Sequence, residues 1–319
     1  MKIVMLERMS VGKDVEVSCF NELGEFEAYD ITRGAEQVAE RVKDADAVIA
    51  NKARINEETL KNAPNVKYVG ELATGFDNVD LEYCRSRGIR VTNVRDYSTA
   101  MVAQHTFMLT LALTQKIVHY DRYVKSGEYA AQDGFSNFDI PFLELDGKTW
   151  GIVGLGNIGS RVARIAEAFG CNVITCSVTG NKHDKGYRQV DKDTLLAESD
   201  ILSLHCPLSD LSRNFIDAKA LSKMKKTAIL INVARGPVVD SAALYDALEN
   251  NVIAGAGLDV LEKEPISADD PLGKIKDSNK LIITPHLAWA SVEARTRCVD
   301  EAFLNLQSFI RGEERNVIC

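Results

Sequence analysis

Three polar residues stand where their chemistry could be used: Arg235 in NVARGPVVD, Glu264 in LDVLEKEP and His286 in ITPHLAW. A guanidinium is a planar, permanently charged fork that grips a carboxylate through two parallel bonds. An imidazole changes charge near neutral pH, so it can give or take a proton during a reaction, and a carboxylate beside it stabilises the imidazolium. Each residue follows a short apolar run that reads as a strand. In open α/β sheets the carboxyl ends of strands meet at the ligand crevice, so the three side chains can converge there. The other histidines lack such company. His105 and His119 fall on a helical run, where packing or an exposed face is the ordinary use. His183 sits in the polar stretch NKHDKG, and His205 ends a strand without an acidic neighbour.

A second signature lies upstream. Residues 154–159 read GLGNIG, namely Gly154, Leu155, Gly156, Asn157, Ile158 and Gly159, between the apolar run TWGIV and the helical run SRVARIAEAFG. A strand, this glycine spacing and a helix make a dinucleotide fingerprint: one glycine for the tight turn, one for close approach of a pyrophosphate, one for packing of helix on strand. The helix amino end then faces the anion. The next strand, CNVITCS, ends in Ser177, where an acid would bond the ribose 2′-hydroxyl of NAD and repel the 2′-phosphate of NADP. Val178 to Lys182 add hydroxyls, an amide and one cation. NADP is therefore allowed, and the choice between NAD and NADP stays open.

The elements that must position these groups alternate throughout: short β-branched runs, then longer amphipathic ones, the pattern of an α/β chain with parallel sheets. Strands are predicted at 2–6, 47–50, 66–70 and 90–92, with helices over 35–43 and 56–62 between them. The stretch 99–125 is apolar on nearly all sides and predicts one long buried helix. Six further strands, at 149–154, 172–177, 201–205, 228–232, 254–259 and 281–284, suit a doubly wound sheet. A helix over 292–312 comes too late to continue that sheet and is expected to return to the first unit. No internal repeat or low-complexity tract interrupts the pattern.

A chain of 319 residues exceeds what one core usually serves, so two domains are expected. The net charge of −8 argues against nucleic acid as a partner. The seven cysteines, at 19, 84, 171, 176, 206, 298 and 319, form no C-x-x-C pair or metal-like cluster and read as reduced thiols, with no metal expected and the cytoplasm as compartment. Glu7 and Arg8 interrupt any signal peptide, and no stretch is apolar enough to span a membrane.

With HCPL at 205–208, NVARG at 232–236, Asp259 ahead of Glu264, and PH at 285–286, the chain resembles the D-isomer-specific 2-hydroxyacid dehydrogenases over nearly its whole length. Within that family, ELATGFDNVDLE at 71–82, RVTNVRDYSTAMVAQHTF at 90–107 and HLAWASVEAR at 286–295 are most similar to the glycerate dehydrogenase, or hydroxypyruvate reductase, group. The resemblance implies two Rossmann-like, doubly wound parallel-sheet domains with the active site in the cleft between them. A discontinuous, flavodoxin-like substrate-binding domain would comprise 1–98 plus 290–319, and an NAD(P)-binding Rossmann domain 99–289.

It further implies reversible hydride transfer between NAD or NADP and a small 2-keto acid such as hydroxypyruvate or glyoxylate. His286 would be the general acid and base, paired to Glu264, with Arg235 on the substrate carboxylate. Backbone N–H groups of Leu72, Ala73, Thr74 and Gly75 would grip the same carboxylate, with Asn51 and Lys52 near the mouth. Cys206, Pro207 and Val233 would line the cofactor groove, and Asp259 would bond the nicotinamide carboxamide. The apolar helix over 99–125 implies a homodimer. A reading from another class is a dinucleotide-sensing, corepressor-like binding protein on the same fold.

Overall fold

Short apolar runs build the first sheet in the computed structural model, which describes residues 1–181 and 185–319. Lys182 and His183, both singled out in the sequence, lie outside the described residues. Strands β1 (Lys2–Met5), β2 (Glu25–Ala28), β3 (Ala47–Ala50), β4 (Tyr68–Glu71) and β5 (Arg90–Thr92) are all parallel, in the order β2-β1-β3-β4-β5. β3 and β4 are buried at every position, as strands covered on both faces must be. Crossovers run through α1 (Gly34–Val42), α2 (Glu57–Leu60) and α3 (Leu81–Ser86). The helix predicted over 56–62 is a single turn, capped by the Asn56 side chain on the Thr59 N–H. The sequence reading missed β2 and α3. EFEA in β2 is an edge strand with no buried position, so it carries no apolar run.

The second stretch opens on α4 (Thr99–Thr114), α5 (Ile117–Lys125) and α6 (Glu128–Ala131). The single buried helix expected over 99–125 is thus two helices. Lys116, between them, takes the left-handed conformation with φ 53°, which ends α4, and α5 has no buried residue. α4 earns its all-round apolar character by packing against both a helix and a sheet. At Gly257 the approach is so close that an added Cβ would lie 3.0 Å from Leu109 Cβ.

There follow β6 (Thr149–Val153), α7 (Asn157–Ala168), β7 (Asn172–Cys176), β8 (Arg188–Gln189), α8 (Lys192–Glu198), β9 (Ile201–Leu204), α9 (Ala218–Lys223), β10 (Ile229–Asn232), α10 (Ser241–Glu249), β11 (Gly255–Leu258) and β12 (Leu281–Ile283). They form a parallel sheet ordered β12-β11-β10-β9-β6-β7-β8. The strand order reverses between β6 and β9, the topological switch point where doubly wound sheets bind ligands. The two-residue edge strand β8, absent from the sequence reading, makes the sheet seven-stranded.

The chain divides into two compact units, Met1–Ser98 with Trp289–Cys319, and Thr99–Ala288. In the first, α11 (Val292–Ile310) packs on β4, and the tail runs antiparallel to β5, with Ile318 N–H on Val91 O and Val91 N–H on Cys319 O, both 2.8 Å. Each unit has its own apolar core. Among the described residues no helix is long and apolar enough to cross a membrane.

Candidate active site

The glycine loop occupies the carboxyl end of β6. Gly154 has φ +90°, a conformation L side chains rarely adopt, and an added Cβ there would lie 2.9 Å from the Cys206 backbone nitrogen. Gly159 sits against the loop it follows: a Cβ there would be 2.2 Å from Gly154 O. In front of Gly156, by contrast, a Cβ would meet nothing within 4 Å. Two glycines thus allow tight packing and one leaves an open cradle at the amino end of α7, which fits the pyrophosphate of a dinucleotide. Gly154 N–H donates to Cys176 O at 3.0 Å, locking the end of β7 beside the loop.

Around this cradle the predicted contacts divide. Gly156, Asn157 and Pro207 are exposed, with Gly154, Ile158 and Ser177 half-buried. Leu155, Cys206 and Val233 are buried. Burial also pushes the Cys206 thiol up to about 11, so this side chain is an inert packing group and its backbone is what abuts the loop.

The loops after β10, β11 and β12 hold the polar trio. Asn232 ends β10 and shapes the turn: its side chain accepts the Ala234 N–H and donates to Arg235 O. Arg235 Nη1 donates to Ala234 O at 2.8 Å. At Gly236 a Cβ would lie 1.9 Å from the Leu261 carbonyl, so this turn presses directly on the backbone leading to Glu264. Glu264 is held at both oxygens, Oε1 by the Leu261 N–H at 2.9 Å and Oε2 by His286 Nδ1 at 2.6 Å. The carboxylate therefore engages Nδ1 of the ring and not Nε2. Both side chains remain about one-third exposed, 29% for His286 and 34% for Glu264.

Asp259 is buried beneath the loop that carries His286. Its carboxylate is 1% exposed and accepts from Thr284 Oγ1 (2.5 Å), Leu287 N (2.7 Å) and Ala288 N (2.8 Å), with His105 Nε2 3.3 Å away. Burial works against its ionisation, yet bonds from His105, Thr284, Ala288 and Leu287 outweigh that and hold the carboxyl below the usual range. It is tied into the 284–288 loop on both sides of His286. Thr284 and His105, joined at 2.9 Å, belong to the same support, which sequence spacing gave no reason to suspect. His205, at the end of β9, is a neutral imidazole: burial takes it down to about 3, and Nε2 lies 3.0 Å from Ser203 Oγ.

Within the first unit the ELATG loop follows β4. Leu72 must be removed from the expected anion donors, because its N–H is bonded to Ala50 O at 2.8 Å and its side chain is buried. Carbonyls of the next two residues are tied down, Ala73 O by the Val94 N–H and Thr74 O by Asn93 Nδ2. Among the described residues no backbone acceptor lies against the N–H groups of Ala73, Thr74 and Gly75. Asn51 is buried, with Nδ2 3.4 Å from Leu72 O, and Lys52 is exposed. The sequence also gave no hint of Glu71, buried beneath the loop, whose Oε1 accepts from Asn78. Burial pushes its carboxyl up to about 8.

A cradle shaped for a pyrophosphate, with a carboxylate-braced imidazole on the same sheet edge, is the equipment of a nicotinamide-dinucleotide oxidoreductase. Residues 107–288 match the family described as D-isomer specific 2-hydroxyacid dehydrogenase, NAD binding domain. The chain is 37% identical over 323 residues to a hydroxypyruvate reductase of Blautia hydrogenotrophica, covering 100% of this chain and 99% of that one. It is 38% identical over 317 residues to a glycerate dehydrogenase of Methylorubrum extorquens, covering 99% and 98%. A structure of D-lactate dehydrogenase from Aquifex aeolicus complexed with NAD and lactic acid superposes with a TM-score of 0.85 at 28% identity, covering 100% and 99%. The chain belongs to the D-isomer-specific 2-hydroxyacid dehydrogenase family. It is an NAD(P)-dependent oxidoreductase acting on CH–OH groups.

Proposed function

We propose that the chain interconverts a small 2-keto acid, of the hydroxypyruvate or glyoxylate kind, and its D-2-hydroxy acid. The observation that carries this reading is the 2.6 Å bond between His286 Nδ1 and a Glu264 carboxylate itself pinned by the Leu261 N–H. With Nδ1 facing a carboxylate, Nε2 is the atom that loses and regains a proton. In reduction Nε2 protonates the carbonyl oxygen, and in oxidation it removes the hydroxyl proton. Glu264 stabilises the imidazolium. The nicotinamide, when bound, supplies or accepts the hydride. Arg235 grips the substrate carboxylate and draws charge from the adjacent carbonyl, a task for a planar fork. Substrate size follows the names of the relatives that align over the full chain.

A homodimer formed by the second unit suits its exposed apolar side chains, among them Ile117, Val124, Phe135 and Phe138. Seven free thiols suit a reducing cytoplasm. The test of function is steady-state oxidation of NADH and NADPH with hydroxypyruvate, glyoxylate, pyruvate and branched 2-keto acids. Saturable turnover on hydroxypyruvate or glyoxylate, lost in His286→Ala, is expected. Turnover that survives His286→Ala would remove the proposed acid, and preference for branched acids would remove the proposed substrate class.

A further inference from the structure

We infer that Lys185, with the hydroxyls of Ser177 and Thr179, forms a site for a 2′-phosphate, so that the chain favours NADPH over NADH. The inference rests on 154–159 being the dinucleotide loop. A ribose held there must lie beside the carboxyl end of β7, because the Gly154 N–H on Cys176 O joins that strand end to the loop. An acid at this point would accept the 2′-hydroxyl and repel a phosphate. Ser177 can share a bond with the hydroxyl but has no charge to repel a phosphate.

Ser177 Oγ lies 3.1 Å from Thr179 Oγ1, and the Gly180 N–H returns to Ser177 O at 3.2 Å, closing a short turn around the pair. Both hydroxyls reach solvent, with Ser177 half-buried and Thr179 exposed.

Lys185 brings the cation. It lies eight residues beyond Ser177, yet its ammonium donates to Leu155 O at 2.7 Å and to Ser160 Oγ at 3.2 Å. Folding thus places a positive charge on the glycine loop itself, one residue from Gly154. These two acceptors are neutral oxygens, a carbonyl and a hydroxyl. An ammonium carries three donors on a flexible stem, so it can turn to a phosphate laid over the loop while keeping a loop contact. A bond of this kind to a doubly charged phosphate is among the stronger polar contacts a protein makes. The rival use of the same cation is to grip the pyrophosphate, which NADH and NADPH share.

Titration of NADPH and NADH fluorescence on the intact protein separates these uses, with 2′,5′-ADP and 5′-AMP as competing probes. Wild type is expected to bind NADPH about tenfold or more tightly than NADH, and 2′,5′-ADP to compete better than 5′-AMP. Lys185→Ala should lower the NADPH-to-NADH affinity ratio by about tenfold or more. Ser177→Asp, made with Lys185 intact, should turn the preference toward NADH, so the inference does not hang on one variant. A wild type that prefers NADH overturns it. So does a Lys185→Ala protein weakened equally for both cofactors, since the cation would then serve the shared pyrophosphate. If neither cofactor binds the wild type, the dinucleotide reading of the loop itself fails, a result distinct from loss of discrimination.

Discussion

Replacing Glu264 by Gln isolates the proton-transfer machinery from the rest of the fold. The amide oxygen can keep the Leu261 N–H that Oε1 accepts at 2.9 Å, so the loop need not move. The other end changes sign: an NH2 group replaces the oxygen that lies 2.6 Å from His286 Nδ1. In the wild type Nδ1–H donates to that oxygen, leaving Nε2 to exchange the proton with substrate. In the variant an amide N–H faces Nδ1, which favours the ring tautomer with its proton on Nε2 and no lone pair there for the oxidative direction. The imidazolium also loses its counter-charge. Hydrogen bonds to charged groups contribute about 1.5–3 kcal/mol, which corresponds to a fall of about 10- to 150-fold in kcat/KM. At fixed pH the equilibrium constant ties the two directions, so keto-acid reduction and hydroxy-acid oxidation must fall together. Both side chains are about one-third exposed, so the change in unfolding free energy should stay below about 1 kcal/mol. The measurements are kcat/KM in both directions, the cofactor dissociation constant and a denaturant melt. A variant that keeps more than half of wild-type kcat/KM would refute the argument. So would one whose loss follows weakened cofactor binding.

Five further substitutions probe other parts of the protein. Asp259→Asn turns an NH2 group toward one of the Leu287 and Ala288 N–H groups and should cost about 1–3 kcal/mol in urea denaturation together with a lowered kcat; unchanged stability would contradict a positioning role. Gly159→Ala places a Cβ 2.2 Å from Gly154 O, and a loss of about 1–3 kcal/mol with weaker dinucleotide binding by calorimetry is expected. For Glu71 the folded value of about 8 lies above the ordinary 4.5, so its stabilising proton is fully held below pH 4.5 and lost as pH rises through 8. Wild-type stability should fall across that window and Glu71→Gln should flatten the fall, which denaturant melts at both ends can test. Ser at Phe135 and Phe138, which are 93% and 80% exposed, should shift sedimentation toward monomer if these rings bury a dimer surface.

What the sequence revealed and what it hid divide along a physical line. The dinucleotide loop was legible because its constraints are local: a strand, a turn of stated handedness and a helix start within a few residues, each imposing its own glycine. Glu264 and His286 could be named from their segments, but their 2.6 Å contact depends on the neighbouring alignment of β11 and β12. Lys185 was missed because nothing in the local text points an exposed lysine back at Leu155. Leu72 was misjudged for the complementary reason: its N–H joins Ala50 O, an extension of the β3–β4 ladder that sequence spacing does not register. The expected long helix over 99–125 failed at Lys116, since a left-handed residue other than Gly or Asn has no sequence mark.

The backbone at His286 explains why so much buried polarity surrounds one loop. His286 has φ 55°, in the left-handed region that most residues other than glycine avoid, at a cost of about 1–3 kcal/mol. Such a conformation persists only where its surroundings over-determine it. Here the His286 N–H is shared by Asp259 O and Thr284 O, both at 2.9 Å, and the next two N–H groups are taken by the two oxygens of the Asp259 carboxylate. Thr284 Oγ1 and His105 close the arrangement from the other side. A buried carboxylate is expensive unless its acceptor positions are filled, and two consecutive amides with a hydroxyl are what this loop provides. The strain at His286 and the burial of Asp259 therefore sustain each other. Their joint product is an imidazole whose Nδ1 is aimed at Glu264 before any substrate arrives, so that little reorganisation is needed when the proton moves.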